Sequence, residues 1–195
     1  YGTTTNNVLG LEVVLADGEV VRIGGKGMDQ SGLDLLGLLT GSEGLLAITT
    51  EATLRILRRP EVARAMMAVY DSVEAAGQAV ADVIAAGMVP AGMEIMDRLA
   101  IEATEDFVGA GYPRGVEALL LVELDGAASE VEHLVGTLHS LLEQSGATEI
   151  RLARDEEERL KLWAGRKAAF PAMGRISPDY YCMDGTIPRG KLPLV

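Results

Sequence analysis

Between residues 163 and 189 the chain brings four cations, Arg166, Lys167, Arg175 and Arg189, together with four aromatic side chains, Trp163, Phe170, Tyr180 and Tyr181. A guanidinium fork matches the geometry of a carboxylate, and aromatic walls keep water from the pair. Arg166 stands three residues after Trp163 and four before Phe170, so a helix would place all three on one face. That arrangement suits a clamp for a small organic acid. An arginine in the last turn of a helix also satisfies the helix dipole, and both readings of Arg166 stay open at this point. The charge is uneven in the same sense. Residues 1–163 hold 12 Lys/Arg against 27 Asp/Glu, whereas residues 164–195 hold 5 against 2. An acidic body with a basic end segment points to a local anion site.

A second stretch with chemical potential is Gly41-Ser42-Glu43-Gly44, followed by the apolar run Leu45-Leu46-Ala47-Ile48. Glycines in a tight turn let backbone N–H groups approach a bound anion or ring, because no Cβ intervenes. A plain structural turn is the competing reading. Glu94 and Asp97 could form a functional pair or simply a solvated strand edge. His133 and His139 lie six residues apart on one expected helix, about 240° around its axis, so they cannot share a metal. The methionines at 66, 67, 93 and 96 read as core filler. No Gly-x-x-x-x-Gly-Lys-Ser/Thr loop and no nucleophile-elbow pattern occurs, so neither a P-loop ATPase nor a Ser–His–Asp hydrolase is indicated.

Composition narrows the classes further. The net charge of −12 argues against a nucleic-acid surface. The single cysteine, Cys182, excludes an internal disulfide and a Cys-based zinc site, and it fits a reducing compartment. No charge-free apolar stretch reaches the roughly 18 residues of a membrane span. The chain starts at Tyr1 inside a strand-and-turn pattern, which reads as a piece of a longer protein.

The elements that must position these residues fall into two parts. Val8–Leu15 and Glu19–Ile23 read as a hairpin whose Asp17-Gly18 turn should be type I′. Asp34–Leu39 is a short helical turn, and a strand follows from about Ala47 to Leu57. From Pro60 the pattern becomes strand–helix four times over. Strands are expected at 65–70, 91–96, 117–124 and 148–153. Helices should follow them, capped by Asp71 or Ser72, by Asp97, by Ser129 and by Asp155. The last helix should run to about Ala169, before Pro171, and Tyr180–Ile187 reads as a further strand. The expected class is α+β, a doubled ferredoxin-like pattern with helices on one face of an antiparallel sheet. A doubly wound parallel sheet is disfavoured, because Asp71-Ser72-Val73-Glu74 stands where its glycine-rich phosphate loop would be.

Three blocks together carry a resemblance. Tyr1–Leu15 resembles the late part of the flavin-binding domain in FAD-linked oxidases of the vanillyl-alcohol-oxidase type. Gly41–Ala52 resembles that family's Gly-Ser-Glu-Gly-Thr-Leu-Gly-Ile-Val-Thr-Glu-Ala block, with Leu45, Ala47 and Thr49 as departures. Trp163–Pro188 is similar to the substrate-domain segment of the glycolate oxidase FAD subunit and D-lactate dehydrogenase branch. The resemblance implies residues 1–58 as the C-terminal part of an FAD-binding domain, followed by a ferredoxin-like sheet. Residues 59–195 would be a truncated FAD-linked oxidase C-terminal domain that binds substrate. It implies FAD as cofactor, lined by Gly2, Thr3, Thr4, Thr5, Asn7, Val8, Gly44, Ala47 and Ile48. Ala47 fits a close cofactor approach if its φ is negative.

The resemblance further implies Arg166 as the carboxylate clamp for a small 2-hydroxy acid, glycolate or D-lactate. Cys182 stands near the position where relatives acting on 2-hydroxyglutarate carry a lysine, which favours a smaller acid. The pyrophosphate loop, and the histidine motifs for base and metal, are expected outside the chain. No catalytic residue or metal ligand is therefore expected within it, and the piece alone should bind FAD weakly or not at all. Companion flavin-fold and iron–sulfur subunits, and a cytoplasmic location with any association to the inner membrane face made through them, complete the expectation. A non-catalytic flavin-fold subunit or interaction module, or a D-2-hydroxyglutarate dehydrogenase-like enzyme, is the alternative.

Overall fold

A computed structural model describes residues 3–27 and 32–194, apart from the side chains of residues 189, 190 and 193. The chain divides into two units, Tyr1–Arg59 and Pro60–Val195.

In the first unit β1 (Val8–Val14), β2 (Val20–Gly24) and β3 (Ile48–Leu54) form an antiparallel sheet in the order β2-β1-β3. The hairpin turn differs from expectation. Gly18 has φ 89°, but Asp17 does not enter the left-handed region, so type I′ is ruled out. Gly18 N–H instead donates to the Leu15 carbonyl at 3.0 Å, and Leu15 N–H donates to Glu19 O at 2.9 Å. This is a three-residue loop with one left-handed position, for which glycine suffices. The short helix α1 (Leu35–Leu39) is capped by Asp34, whose carboxylate accepts from Gly37 N–H at 2.9 Å. Alternate residues of β1 face inward, and Leu11 and Val13 join Leu36 and Ala47 in a small core. On the outer face Glu12 accepts from Arg22 Nε at 2.8 Å and from the Thr50 hydroxyl at 2.9 Å. These two partners, Thr50 first, hold the Glu12 carboxyl below its ordinary pKa.

The second unit is built on β4 (Val62–Tyr70), β5 (Gly92–Asp97), β6 (Ala118–Gly126) and β7 (Glu149–Leu152), all antiparallel, in the order β5-β6-β4-β7. Two split crossovers interleave to give that order. The chain passes from β4 through α2 (Val73–Ala85) to β5, and from β6 through α4 (Ala128–Gln144) to β7. It is the ferredoxin-like arrangement, present once rather than doubled.

The expected α+β antiparallel class holds, but the helices cover both faces rather than one. On the first face Met66, Ala68, Tyr70, Leu120 and Val122 meet Val83 of α2 and Leu138 and Leu142 of α4. On the second, Ala65, Met67, Val69, Leu119 and Leu121 meet Ile101 of α3 (Arg98–Val108) and Leu162 of α5 (Glu156–Lys167). The cause is visible in the strands. A sheet wetted on one side alternates apolar and polar residues, whereas β4 and β6 carry unbroken apolar runs that need cover on both sides.

The helix ends follow local chemistry. Ser72, Asp97 and Asp155 accept from Ala75, Ala100 and Glu158 N–H at 3.1, 2.8 and 2.9 Å. The expected Ser129 cap is not used. The N-cap of α4 is Ala127, and Glu61 accepts from Ala128 N–H at 3.3 Å instead. The helix expected to stop before Pro171 breaks at Ala168, and a new helix, α6 (Ala169–Ile176), carries Pro171 in its first turn, where no N–H is required. Tyr180–Ile187 is not a strand. Its aromatic and β-branched residues suit a sheet, but among the described residues no sheet edge pairs with them.

Candidate cofactor cleft and carboxylate clamp

Two separate stretches of the first unit converge on one cleft of about 410 Å³. Thr4 and Val8 come from a 3-10 turn (Thr4–Asn7) and the start of β1. Gly44, Ala47 and Ile48 come from the turn before β3 and its first residue. These are five of the nine residues expected along the cofactor. Thr3, Thr5 and Asn7 do not line the cleft. The Thr3 carbonyl accepts from Asn6 N–H and from the Asn7 side chain, and the Asn7 carbonyl accepts from Arg55 N–H at 2.9 Å. Gly2 lies outside the described residues.

The Gly41–Gly44 turn is built from left-handed backbone. Gly41, Glu43 and Gly44 have φ of 87°, 51° and 80°. Ser42 N–H donates to Leu39 O at 3.1 Å, and Leu45 N–H donates to Ser42 O at 2.9 Å. Glu43 is the one non-glycine residue with positive φ among the described residues, so the turn holds strain beside the cleft.

Whether these residues suit FAD is tested by their own packing. The Ala47 methyl belongs to the small core with Leu11, Val13 and Leu36, and its φ is not positive, so it leaves the cleft side open. A Cβ at Gly41 would meet nothing within 4 Å, so the backbone there is bare. Ile48 is 61% exposed and Leu54 54%, an apolar strand surface without cover from its own unit. Thr40, also in the cleft wall, has a buried hydroxyl with no hydrogen-bond partner. An open, largely apolar cleft with bare backbone fits an extended ring system.

In the second unit Arg166 sits in the last turn of α5. Its Nε and Nη2 both lie 3.1 Å from Glu94 Oε2 on β5. The Arg166 side chain is 29% exposed and that of Glu94 39%. Trp163, one turn earlier, packs against the buried cluster that includes Met96, Ile101, Leu119 and Leu121. Its ring lies against Gly92, where a Cβ would come within 3.2 Å of Cη2, and its indole N–H is buried without a partner. One further turn back, Arg159 donates to Glu123 of β6 at 2.5 Å and to both oxygens of Glu156 at 2.7 Å. The Glu156 bonds, partly offset by burial, hold the guanidinium pKa above its ordinary value. The helix is thus tied to the sheet by a pair, an indole and a second pair, at positions i, i+4 and i+7. Gly165 lets this face approach. A Cβ there would lie 2.5 Å from Ala110 Cβ and from the Tyr112 hydroxyl, which donates to the Leu162 carbonyl.

The other described cations of this segment, Lys167 and Arg175, do not join Arg166. Arg175 lies over the ring of Phe107 at 4.7 Å, and Lys167 is exposed. The side chain of Arg189 lies outside the described ones. Phe170 belongs to α6 rather than to the Arg166 helix, Tyr180 donates to its carbonyl at 3.4 Å, and Tyr181 and Cys182 are exposed. Glu94 and Asp97 are not a functional pair, since Glu94 reaches Arg166 while Asp97 caps α3. His133 and His139 are exposed, and among the described residues no group of three or more His, Cys, Asp or Glu is placed to hold a metal ion. Sequence reasoning missed Arg159, although its spacing to Trp163 and Arg166 traces one helix face. The Glu94 partnership, 72 residues distant from Arg166, had no local signal.

The chain belongs to the family described as FAD linked oxidases, C-terminal domain, which matches residues 59–195. It is 56% identical over 193 residues to the glycolate oxidase subunit GlcD of Escherichia coli (strain K12), covering 99% of this chain and 39% of that protein. It is 38% identical to GlcD of Bacillus subtilis (strain 168), covering 98% and 41%, and 34% identical to a probable mitochondrial D-lactate dehydrogenase of Danio rerio, covering 100% and 40%. The chain therefore spans about two fifths of the length of these relatives. Among solved structures, 4-ethylphenol oxidase from Gulosibacter chungangensis superposes with a TM-score of 0.66 at 16% identity, over 89% of this chain and 41% of that one. An alkyldihydroxyacetonephosphate synthase gives 0.65 at 15%, over 92% and 36%. At such identities the likeness shows the fold alone. Among the described residues no helix is long and apolar enough to cross a membrane.

Proposed function

We propose that this chain is part of an FAD-dependent oxidoreductase that converts a small 2-hydroxy acid, glycolate or D-lactate, to the 2-oxo acid. Convergence of Thr4, Val8, Gly44, Ala47 and Ile48 on a single cleft is the observation that carries the reading. Those five residues would line FAD, together with the neighbouring backbone of the Gly41–Gly44 turn. FAD, when bound, supplies the two-electron acceptor for the hydride leaving the substrate Cα. Arg166 would bind the substrate carboxylate through charge-assisted hydrogen bonds. Trp163, packed against the sheet beside it, limits water around the pair and so strengthens it.

The names of the relatives support the substrate class, and the word subunit in two of them supports companion subunits in an assembly. A cytoplasmic location, with any membrane association made through those companions, belongs to the same proposal. The test is made on the full-length protein that carries this chain. A flavin absorption spectrum and turnover of glycolate or D-lactate are expected. Arg166→Ala should lower kcat/KM by about 2–4 kcal/mol in activation free energy, the scale for loss of one partner of a partly buried charge pair. A colourless protein would instead favour a non-catalytic subunit of the same fold. A flavoprotein in which Arg166→Ala leaves kcat/KM unchanged would remove Arg166 from the role.

A further inference from the structure

We propose that Glu94 is a positioning residue that fixes which edge of Arg166 receives the substrate, and that it selects against acids bearing a second carboxylate. The inference rests on Arg166 as the carboxylate clamp. A guanidinium offers two carboxylate-binding edges, one made by Nε and one Nη, the other by the two Nη atoms. Glu94 Oε2 stands 3.1 Å from both Nε and Nη2 and so occupies the first edge. The second edge, Nη1 with the remaining N–H of Nη2, is what a substrate carboxylate would meet.

Glu94 itself is held by the sheet. Its residue pairs with Leu121 of β6, and Gly92, two residues earlier, carries the Trp163 ring. Arg159 and Glu123 clamp the same helix two turns back. The guanidinium is therefore braced from β5 rather than left to swing on a flexible side chain, which lowers the ordering cost of binding. The Glu94 carboxylate also sets a fixed negative charge beside the docking edge. A monocarboxylate adds one negative charge at the far edge, whereas a dicarboxylate adds a second one to the neighbourhood of the fixed Glu94 charge. Like-charge juxtaposition of this kind is an effective means of discrimination.

The experiment compares Glu94→Ala, Glu94→Gln and Arg166→Ala in the flavin-loaded full-length protein. Glycolate and D-lactate serve as monocarboxylic probes and D-2-hydroxyglutarate as the dicarboxylic one. Removing the brace in Glu94→Ala should raise KM for glycolate about tenfold with a smaller change in kcat. Glu94→Gln keeps the shape and removes the charge, so the ratio of kcat/KM for D-2-hydroxyglutarate over glycolate should rise about tenfold. Melting temperature and flavin absorption, which a purely structural role would move, should stay near those of the parent. If Glu94→Ala leaves KM unchanged while Arg166→Ala abolishes saturation, the positioning role is wrong and the clamp stands. If Arg166→Ala is itself silent, both fall. A rise in KM without any change in the Glu94→Gln ratio overturns the selectivity. Should Glu94→Ala not fold, the ratio measured on Glu94→Gln and the KM of Glu94→Asp, which shortens the brace by one methylene, decide the same two points.

Discussion

The two sheets of this chain are built on opposite principles. In the second unit β4 and β6 are sealed on both faces, by α2 and α4 on one side and by α3 and α5 on the other. In the first unit β3 is exposed along nearly its whole length, and its apolar residues Ile48 and Leu54 have no cover from their own unit. The difference shows where each sheet finds its stability. A doubly covered sheet is complete in itself, whereas a sheet with a bare apolar strand is shaped to receive something. The cleft beside Gly44 and Ile48 is on the receiving side.

Substitutions can break or sharpen that contrast. Leu120 is fully buried at the centre of β6, so Leu120→Ala should cost about 2–5 kcal/mol in denaturant unfolding of the second unit. Gly165→Ala adds a methyl where Ala110 and Tyr112 already stand 2.5 Å away. Overpacking should outweigh the better helix propensity and cost about 1–3 kcal/mol by the same measurement. Asp97→Ala removes the cap of α3 and should cost about 1 kcal/mol. At the other end of the scale, Ile48→Ala should change unfolding by no more than about 0.5 kcal/mol. Its effect should appear as weaker flavin retention in the full-length protein. If Ile48→Ala were as costly to folding as Leu120→Ala, β3 would be a core strand and the contrast would fail.

How much of this was legible in the sequence depended on distance along the chain. Ser72, Asp97 and Asp155 were readable as caps because a cap bonds to a residue three positions away. Ser129 misled, because α4 takes its N-terminal acceptor from Glu61, 67 residues earlier. The apolar runs of β4 and β6 announced strands, and their lack of alternation also carried the two-sided burial that the one-face expectation left out. Tyr180–Ile187 has strand-like composition, but strand formation needs a partner edge, and propensity says nothing about whether one exists. In the proposed cofactor cleft the two contributing stretches were recognisable as blocks, while their meeting depends on β1 and β3 pairing across the sheet. Arg166 was readable as a cation beside an indole. That its partner is Glu94 follows only from the seating of α5 on β5.

The tyrosine beneath α5 gives the second unit a chemical limit at high pH. Burial holds Tyr112 neutral well past the ordinary phenol value of 10.0, and it raises Tyr70 in the same direction. A phenol whose pKa is raised on folding contributes stability that is whole below the unfolded value and is lost as pH rises through the folded one. Alkaline denaturation should therefore begin above about pH 10, with the ultraviolet signal of these two phenolates emerging together with loss of helix rather than ahead of it. Because the Tyr112 hydroxyl is bonded to the Leu162 carbonyl, in the turn that leads to Arg166, ionising one phenol should release the end of the helix that carries Arg166.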